Sequence, residues 1–313
     1  MKKGLRKLIL SGTALAAVAA TGATSTYAWY TTNTEVNANN IIGASAATGD
    51  ASIFISGTGA AGSWKQTIDY DAGEIILSGA GVADENDPEE GGLTPVTYVA
   101  GTTNNWLNQK GQAVTTPNVI NFDLYFKTAP TDDDVKIAIK SVTVENTTTG
   151  YAGTNASLPQ FENILTGSSY SVNVLEALAL KVGNYSSTEA SNSYVGCYSL
   201  TPGGIVAAAE DYTHAAGSKI SGYTAHEYVN EVMTGEKEAT SAQGVTQITS
   251  AVASFPTFSA TDESIAIATL PAAGTAVSVP FTVFLNGADV DCFDACKGQT
   301  FKFSIQFAIV KEA

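Results

Sequence analysis

Apolar and polar residues alternate with a period of two in several parts of the chain. In NVINFDLYFKT (118–128) and TFKFSIQFAIV (300–310), every second residue is apolar over most of the stretch. This alternation is typical of a strand with one face in a core and the other in solvent. The second stretch shows the pattern most clearly, because Phe and Ile fill one face while Lys302, Ser304 and Gln306 lie on the other. Both stretches therefore predict half-buried strands.

The stretch VKIAIKSVTVEN (135–146) changes its phase part of the way along. Its apolar residues keep one parity up to Ile139, and Val142 continues on the opposite parity. A phase change inside a strand predicts a β-bulge, here near Ser141. A turn-rich connector, TAPTDDD, separates this strand from 118–128, and that spacing predicts a hairpin between the two.

Further strand candidates follow at short intervals and are separated by Gly, Asn, Ser and Thr turns. Eight to ten such strands predict a mainly β fold, a jelly-roll or Ig-like β-sandwich with long loops. Residues 203–240 have the best helical composition and predict a small helical insertion into one sandwich domain that spans 51–313. The remaining candidates are ASIFISG (51–57), GEIILSG (73–79), TPVTYVAG (94–101), LEALALKVG (175–183), ESIAIATL (263–270) and AVSVPFTVFLNG (276–287).

The first 28 residues have the features of a secretory signal peptide. MKKGLRK is basic, a short Ala-rich apolar stretch follows, and Ala28 and Thr26 supply small residues for cleavage. The apolar stretch falls short of the roughly 20 strongly apolar residues that a spanning helix needs. Cleavage after Ala28 leaves 11 of the 15 basic residues and all 30 acidic ones, a formal charge of −19. Such a surface repels nucleic acid and anionic membranes, so we expect a secreted or surface-exposed protein.

Histidine chemistry has little support in this sequence. HEYVN (226–230) differs from the zinc-protease motif H-E-x-x-H because Asn230 replaces the second histidine, and Asn is a poor zinc ligand. The other histidine is His214, and no G-x-S-x-G nucleophile motif occurs. The sequence therefore predicts a protein that is not an enzyme.

Two kinds of polar loop carry candidate ligands or cross-links. Acidic residues cluster in two loops, but their spacing does not fit the twelve-residue EF-hand, so solvated loops are favoured and calcium stays a candidate ligand. The chain has three cysteines, which allow at most one internal disulfide, either local or with Cys197. The candidate calcium ligands are Asp84, Asp87, Glu89, Asp132, Asp133 and Asp134, and the candidate disulfide residues are Cys197, Cys292 and Cys296.

Three stretches resemble the TasA/camelysin family of bacterial surface and biofilm-matrix proteins. They are the leader end TYAWYT, the strand pair NFDLYFKT and VKIAIKSVTVEN, and the closing TFKFSIQFAIV. The resemblance covers the two ends and the central strand pair, and the start WYTTNTEVNANNIIGAS departs from the family pattern. It implies a jelly-roll subunit that forms fibres, in which the N-terminus of one subunit completes the sheet of the next.

The extended segment 29–50 is therefore the candidate assembly segment. An extended segment gains backbone hydrogen bonds at an exposed sheet edge, and its alternate side chains fill pockets. Two alternatives stay open: the segment docks on its own subunit or is disordered, and the protein is a monomeric adhesin that binds carbohydrate through Trp64 or Trp106. A homo-oligomer and other matrix components are the expected partners. The candidate docking residues are Trp29, Tyr30, Val36, Ile41 and Ile42.

Overall fold

The protein is mainly β. The computed structural model describes residues 53–70, 72–82, 92–99, 105–109, 111–146, 173–183, 196–200, 252–289, 292 and 299–311, and the backbone of residues 36–37. The predicted signal peptide and the predicted helical insertion at 203–240 lie outside these residues. Two sheets account for all the named strands of the described chain.

The smaller sheet has four strands in the order β1, β11, β6 and β9. β11 and β6 are long and antiparallel, whereas β1 is a two-residue strand that pairs in parallel with β11. The strands are β1 (Val36–Asn37), β6 (Val135–Asn146), β9 (Ala268–Leu270) and β11 (Phe301–Val310).

The larger sheet has seven strands and is organised around β10. β10 pairs antiparallel with β5 on one edge and with β7 on the other, and it pairs in parallel with β3 at its end. β2 extends the sheet beyond β5, and β8 extends it beyond β7. The strands are β2 (Ile53–Ser56), β3 (Pro95–Tyr98), β4 (Trp106–Asn108), β5 (Ile120–Thr128), β7 (Leu178–Val182), β8 (Cys197–Ser199) and β10 (Val277–Asn286).

The two sheets pack face to face through aromatic side chains. Phe126 and Phe307 lie 4.8 Å apart between ring centroids, and Phe122 lies 5.9 Å from Phe303. Phe281 of β10 stacks on Phe122 and also meets Phe307 edge-on. These rings belong to one hydrophobic cluster that takes residues from both sheets. The prediction of a mainly β sandwich is confirmed.

The predicted hairpin between 118–128 and 135–146 is wrong. β5 belongs to the larger sheet and β6 to the smaller one, so the connector between them crosses from one sheet to the other. Both strands have an apolar face, and such a face is buried only against an opposing layer. Within the connector, Thr131 N–H donates to the Ala272 carbonyl, which ties the crossing to the segment before β10.

The predicted bulge in β6 is confirmed. Gln306 pairs with Ser141 and the next residue, Phe307, pairs with Ile139, so Lys140 is the extra residue on β6. The bulge returns Val142 to the core side, where it packs against the same cluster as Ile139. The phase change in the sequence therefore has a direct structural cause.

Other predicted strands are shorter than their sequence pattern. Residues 175–183 begin with a helical turn, α1 (Val174–Ala177), capped by Asn173, and 263–270 begin with a 3-10 turn, Glu263–Ile265. The candidate 73–79 forms only isolated bridges at Ile75 and Ser78. Strands this short are fixed by their neighbours more than by their own sequence pattern.

Candidate functional site

The predicted assembly segment pairs with the folded sheets at the outer edge of β11. β11 pairs with β6 along its full length, from Phe301 to Val310. On its other edge, Val36 pairs with Phe301 and Asn37 with Lys302, in parallel. Past Lys302, no other strand within the described residues pairs with this edge. We call residues 303–310 on this side the open edge of β11.

The side chains of β11 give this edge two different faces. Phe301, Phe303, Ile305 and Phe307 are buried on the core side. The residues between them point to the outer face and are half-buried. In a parallel pair, residues in register lie on the same face of the sheet. A strand added along β11 therefore has buried Phe and Ile side chains beside it on the core face. On the outer face it has Lys302, Ser304 and Gln306, followed by the buried Ala308 and Val310.

A buried amide network holds the start of β11, where β1 docks. Asn146 Nδ2 donates to Gln299 Oε1 (2.7 Å) and to Asn173 Oδ1 (3.0 Å). The backbone N–H of Val174 also donates to Gln299 Oε1, at 3.0 Å. Gln299 is 2% exposed, and a buried amide in such a network is costly to disturb. The sequence gives no sign of this network, because its members are far apart along the chain.

The corresponding edge of the larger sheet is closed by the loop that follows β2. Ile55 and Lys65 exchange two backbone hydrogen bonds, of 2.8 and 3.0 Å. Ser78 and Asn121 do the same farther along β5, at 2.8 and 2.7 Å. The loop is also held by an ion pair between Lys65 and Glu74. Residues 57–82 thus take up hydrogen-bonding groups that an incoming strand would need.

The loop approaches β2 too closely for a side chain at Gly57. A Cβ on Gly57 would lie 2.2 Å from the Glu74 carbonyl oxygen, which is well inside van der Waals contact. Gly57 and Ile75 form a parallel bridge at this point. A glycine here permits the loop to lie against the strand.

The other predicted assembly residues lie outside the described part of the chain. Val36 is placed by its backbone pairing with Phe301. Trp29, Tyr30, Ile41 and Ile42 are not described, so their docking role stays a prediction.

The cysteines contribute to packing in the described residues. Cys197 is a buried free thiol, and Cys292 is also buried, with no bond between the two sulfur atoms. Burial raises the pKa of Cys197 to about 12, against a smaller lowering effect of the Lys181 ammonium group. The Cys292 carbonyl accepts a hydrogen bond from Gln109 Nε2 at 2.9 Å, which ties its loop to the end of β4. Cys296 lies outside the described residues.

The acidic loops are only partly described. Asp132, Asp133 and Asp134 are exposed, and Asp134 Oδ1 accepts the backbone N–H of Ala272 at 2.9 Å. Asp84, Asp87 and Glu89 are outside the described residues. In the ranges that the structure describes, no group of three His, Cys, Asp or Glu side chains is arranged to hold a metal ion.

The two candidate carbohydrate-binding tryptophans have different surroundings. Trp106 packs edge-on against Tyr98 (5.0 Å) and Phe284 (5.2 Å) in a second hydrophobic cluster, on the outer face of the larger sheet. Trp64 is half-buried, and Lys127 Nζ lies 4.5 Å above its ring. Trp106 is therefore a packing residue, while Trp64 lies beside a cation at the surface.

Comparisons with known proteins give no relative for this chain: no family model, no curated protein and no solved structure matches it. Among the residues described above, no helix is long and apolar enough to cross a membrane.

Proposed function

We propose that this protein is a secreted structural subunit of a bacterial cell surface or extracellular matrix, which assembles into fibres by N-terminal strand addition. The observation that carries the proposal is the parallel pairing of β1 with the outer edge of β11. This pairing joins the segment selected from the sequence to a long strand with an open edge. The proposed activity is assembly and involves no catalysis.

The physical basis of assembly is the hydrogen-bonding capacity of a sheet edge. An edge strand presents unpaired N–H and C=O groups that template the addition of another strand. A strand that leaves its own subunit and docks on the next makes a head-to-tail contact, and repetition of that contact generates a filament. The loop after β2 closes the edge of β2. Of these two sheet edges, the edge of β11 therefore remains open to accept a strand.

We propose that the register of β1 continues along β11. Ile42 would then pair with Phe307 and Ile41 with Gln306. Since Phe301 and Phe307 face the core and register partners share a face, Val36 and Ile42 would face the core and Ile41 the outer side.

The leader and the charge support the proposed location. A signal peptide over 1–28 directs export, and the formal charge of −19 that remains after cleavage favours solubility outside the cell.

The test is removal of residues 29–42 from the mature chain. We expect the shortened protein to keep the circular dichroism spectrum of a β protein and to be a monomer by light scattering after size-exclusion chromatography. Above its assembly threshold, the full mature chain should elute as large assemblies. Equal assembly of the two proteins would contradict the proposal.

A second candidate function, a monomeric carbohydrate-binding adhesin, is favoured only by the surface position of Trp64. It predicts that Trp64→Ala abolishes retention on immobilised polysaccharide without changing the size of the protein. Trp106→Ala is the contrasting variant, since loss of its contacts with Tyr98 and Phe284 should reduce stability instead. Retention that is unchanged in Trp64→Ala would remove this candidate.

A further inference from the structure

The strand that pairs with β11 comes from the same chain. Val36 and Asn37 occupy the edge at Phe301 and Lys302, where a strand from another copy would begin its pairing. An edge position forms backbone hydrogen bonds with one neighbouring strand at a time. Docking of a chain's own β1 and docking of a partner's β1 therefore exclude each other.

The positions of β2 and β11 allow the chain to reach this arrangement without strain. The contacts Phe122–Phe303 and Phe126–Phe307 show that β5 and β11 run side by side across the core. Ile53 pairs with Thr128, two residues beyond Phe126, so the start of β2 lies near the level of the end of β11. Asn146 of β6 bonds to Asn173, just before α1 and β7, so β6 lies toward the β7 side of the larger sheet, and β1 and β2 are the outermost strands on the other side.

The chain length between these points is sufficient. Fifteen residues separate Asn37 from Ile53. Asn37 pairs with Lys302, and the start of β2 lies about eight residues, or about 26 Å, farther along β11. Packed sheets are about 10 Å apart, while fifteen extended residues span about 50 Å. The chain is therefore long enough to connect β1 on its own β11 edge to β2.

We propose that β1 is an intramolecular cap, which occupies the assembly edge of its own subunit until a second copy displaces it. This inference rests on the proposed function, since it names what regulates the same edge. A short connection within one chain gives the attached strand an effective concentration on the order of millimolar. At micromolar protein, the intramolecular pairing then outcompetes an isolated contact between chains. Assembly becomes favourable when protein concentration, or further contacts along a growing filament, offsets that advantage.

A disulfide between β1 and β11 tests the cap. Asn37 and Lys302 are register partners on neighbouring strands, a separation that suits a disulfide. In the mature Asn37→Cys/Lys302→Cys variant, we expect oxidation to give monomers with an intrachain bond, seen by mass spectrometry. These monomers should form no filaments, and reduction should restore assembly. The single variants Asn37→Cys and Lys302→Cys are the controls and should assemble in both conditions.

The outcomes separate the cap from the proposed function. A ladder of chains linked through the engineered cysteines, with no intrachain bond, would overturn the cap and leave strand addition between copies intact. Filaments from the oxidised, internally bonded monomer would also overturn the cap. If the unmodified mature chain forms no filaments at any concentration, the proposed function fails and the cap fails with it.

A longer connection between β1 and β2 gives a second test of the cap. Inserting 15 Gly/Ser residues between Ser45 and Ala46 doubles the connection and should lower the effective concentration of β1 roughly threefold. The protein concentration needed for assembly should fall by a similar factor. No change, or a higher threshold, would contradict the cap.

Discussion

The two sheet edges on one side of this sandwich are closed in different ways. The β2 edge is covered by the loop that immediately follows it, through paired hydrogen bonds at Ile55–Lys65 and Ser78–Asn121. The β11 edge is met by β1, whose two residues pair with residues 265 positions later in the chain. A local loop cannot leave its strand without breaking a continuous local structure, whereas a distant strand can exchange with an identical one from another copy. This difference is the reason why we propose the β11 edge, and not the β2 edge, for assembly.

The largest expected effect is a difference between substitutions of the two isoleucines of the assembly segment, Ile41 and Ile42. If the register of β1 continues along β11, Ile42→Asp puts a carboxylate on the core side beside Phe307, whereas Ile41→Asp puts it on the outer face. Such a change weakens docking on the same chain and on another copy alike, so docking itself is measured, as binding of a peptide of residues 29–42 to the mature chain that lacks them. Burial of an isoleucine side chain contributes about 1.5–3 kcal/mol, so Ile42→Asp should weaken this binding at least tenfold and Ile41→Asp much less. Equal effects of the two changes would show that the register is wrong.

The next effect concerns the closed edge. Gly57→Ala forces a Cβ against the Glu74 carbonyl, so the loop must move away from β2. Overpacking of this kind destabilises a fold by about 1–3 kcal/mol. Urea denaturation measures the loss, with Ala60→Ser as the control because residue 60 is exposed in the same loop. If Gly57→Ala is as stable as the parent protein, the close approach of the loop to β2 does not hold in solution.

The smallest effect comes from the charge pair in the same loop. A hydrogen bond from Lys65 and another from the Asp69 backbone N–H hold the pKa of Glu74 below its usual value. A carboxyl group with a lowered pKa stabilises the fold above its unfolded-state pKa, and this stability is lost as the pH falls through the folded-state value. Because Lys65 is largely exposed, the loss should be only a few tenths of a kcal/mol. Glu74→Gln should remove this part of the pH dependence below pH 4.5, as measured by thermal unfolding at several pH values.

The sequence predicted the strands better than their arrangement. Period-two alternation located β5, β6, β10 and β11, because it records which side chains face the core. The phase change predicted a bulge near Ser141, and the extra residue in the structure is its neighbour Lys140. The same patterns do not record which sheet a strand joins, and for that reason the hairpin between β5 and β6 was wrong.

The candidate site was predictable only in part. The resemblance to the TasA/camelysin family implied strand addition by the N-terminal segment, which stays a prediction, and the choice of β11 as its partner depends on topology. The Asn146–Gln299–Asn173 network was not predictable, because buried amide contacts between distant segments leave no periodic pattern. The closing of the β2 edge by a loop was not predictable either, because residues 73–79 of that loop have the sequence pattern of a strand and form only isolated bridges.

Negative-stain electron microscopy of the purified chain beginning at Trp29, with and without calcium, tests filament formation most directly. We expect regular unbranched filaments that appear above a threshold concentration. Filaments that require calcium would in addition make the acidic loops part of the contact. Uniform single particles at all concentrations would contradict assembly through β11 and favour the adhesin.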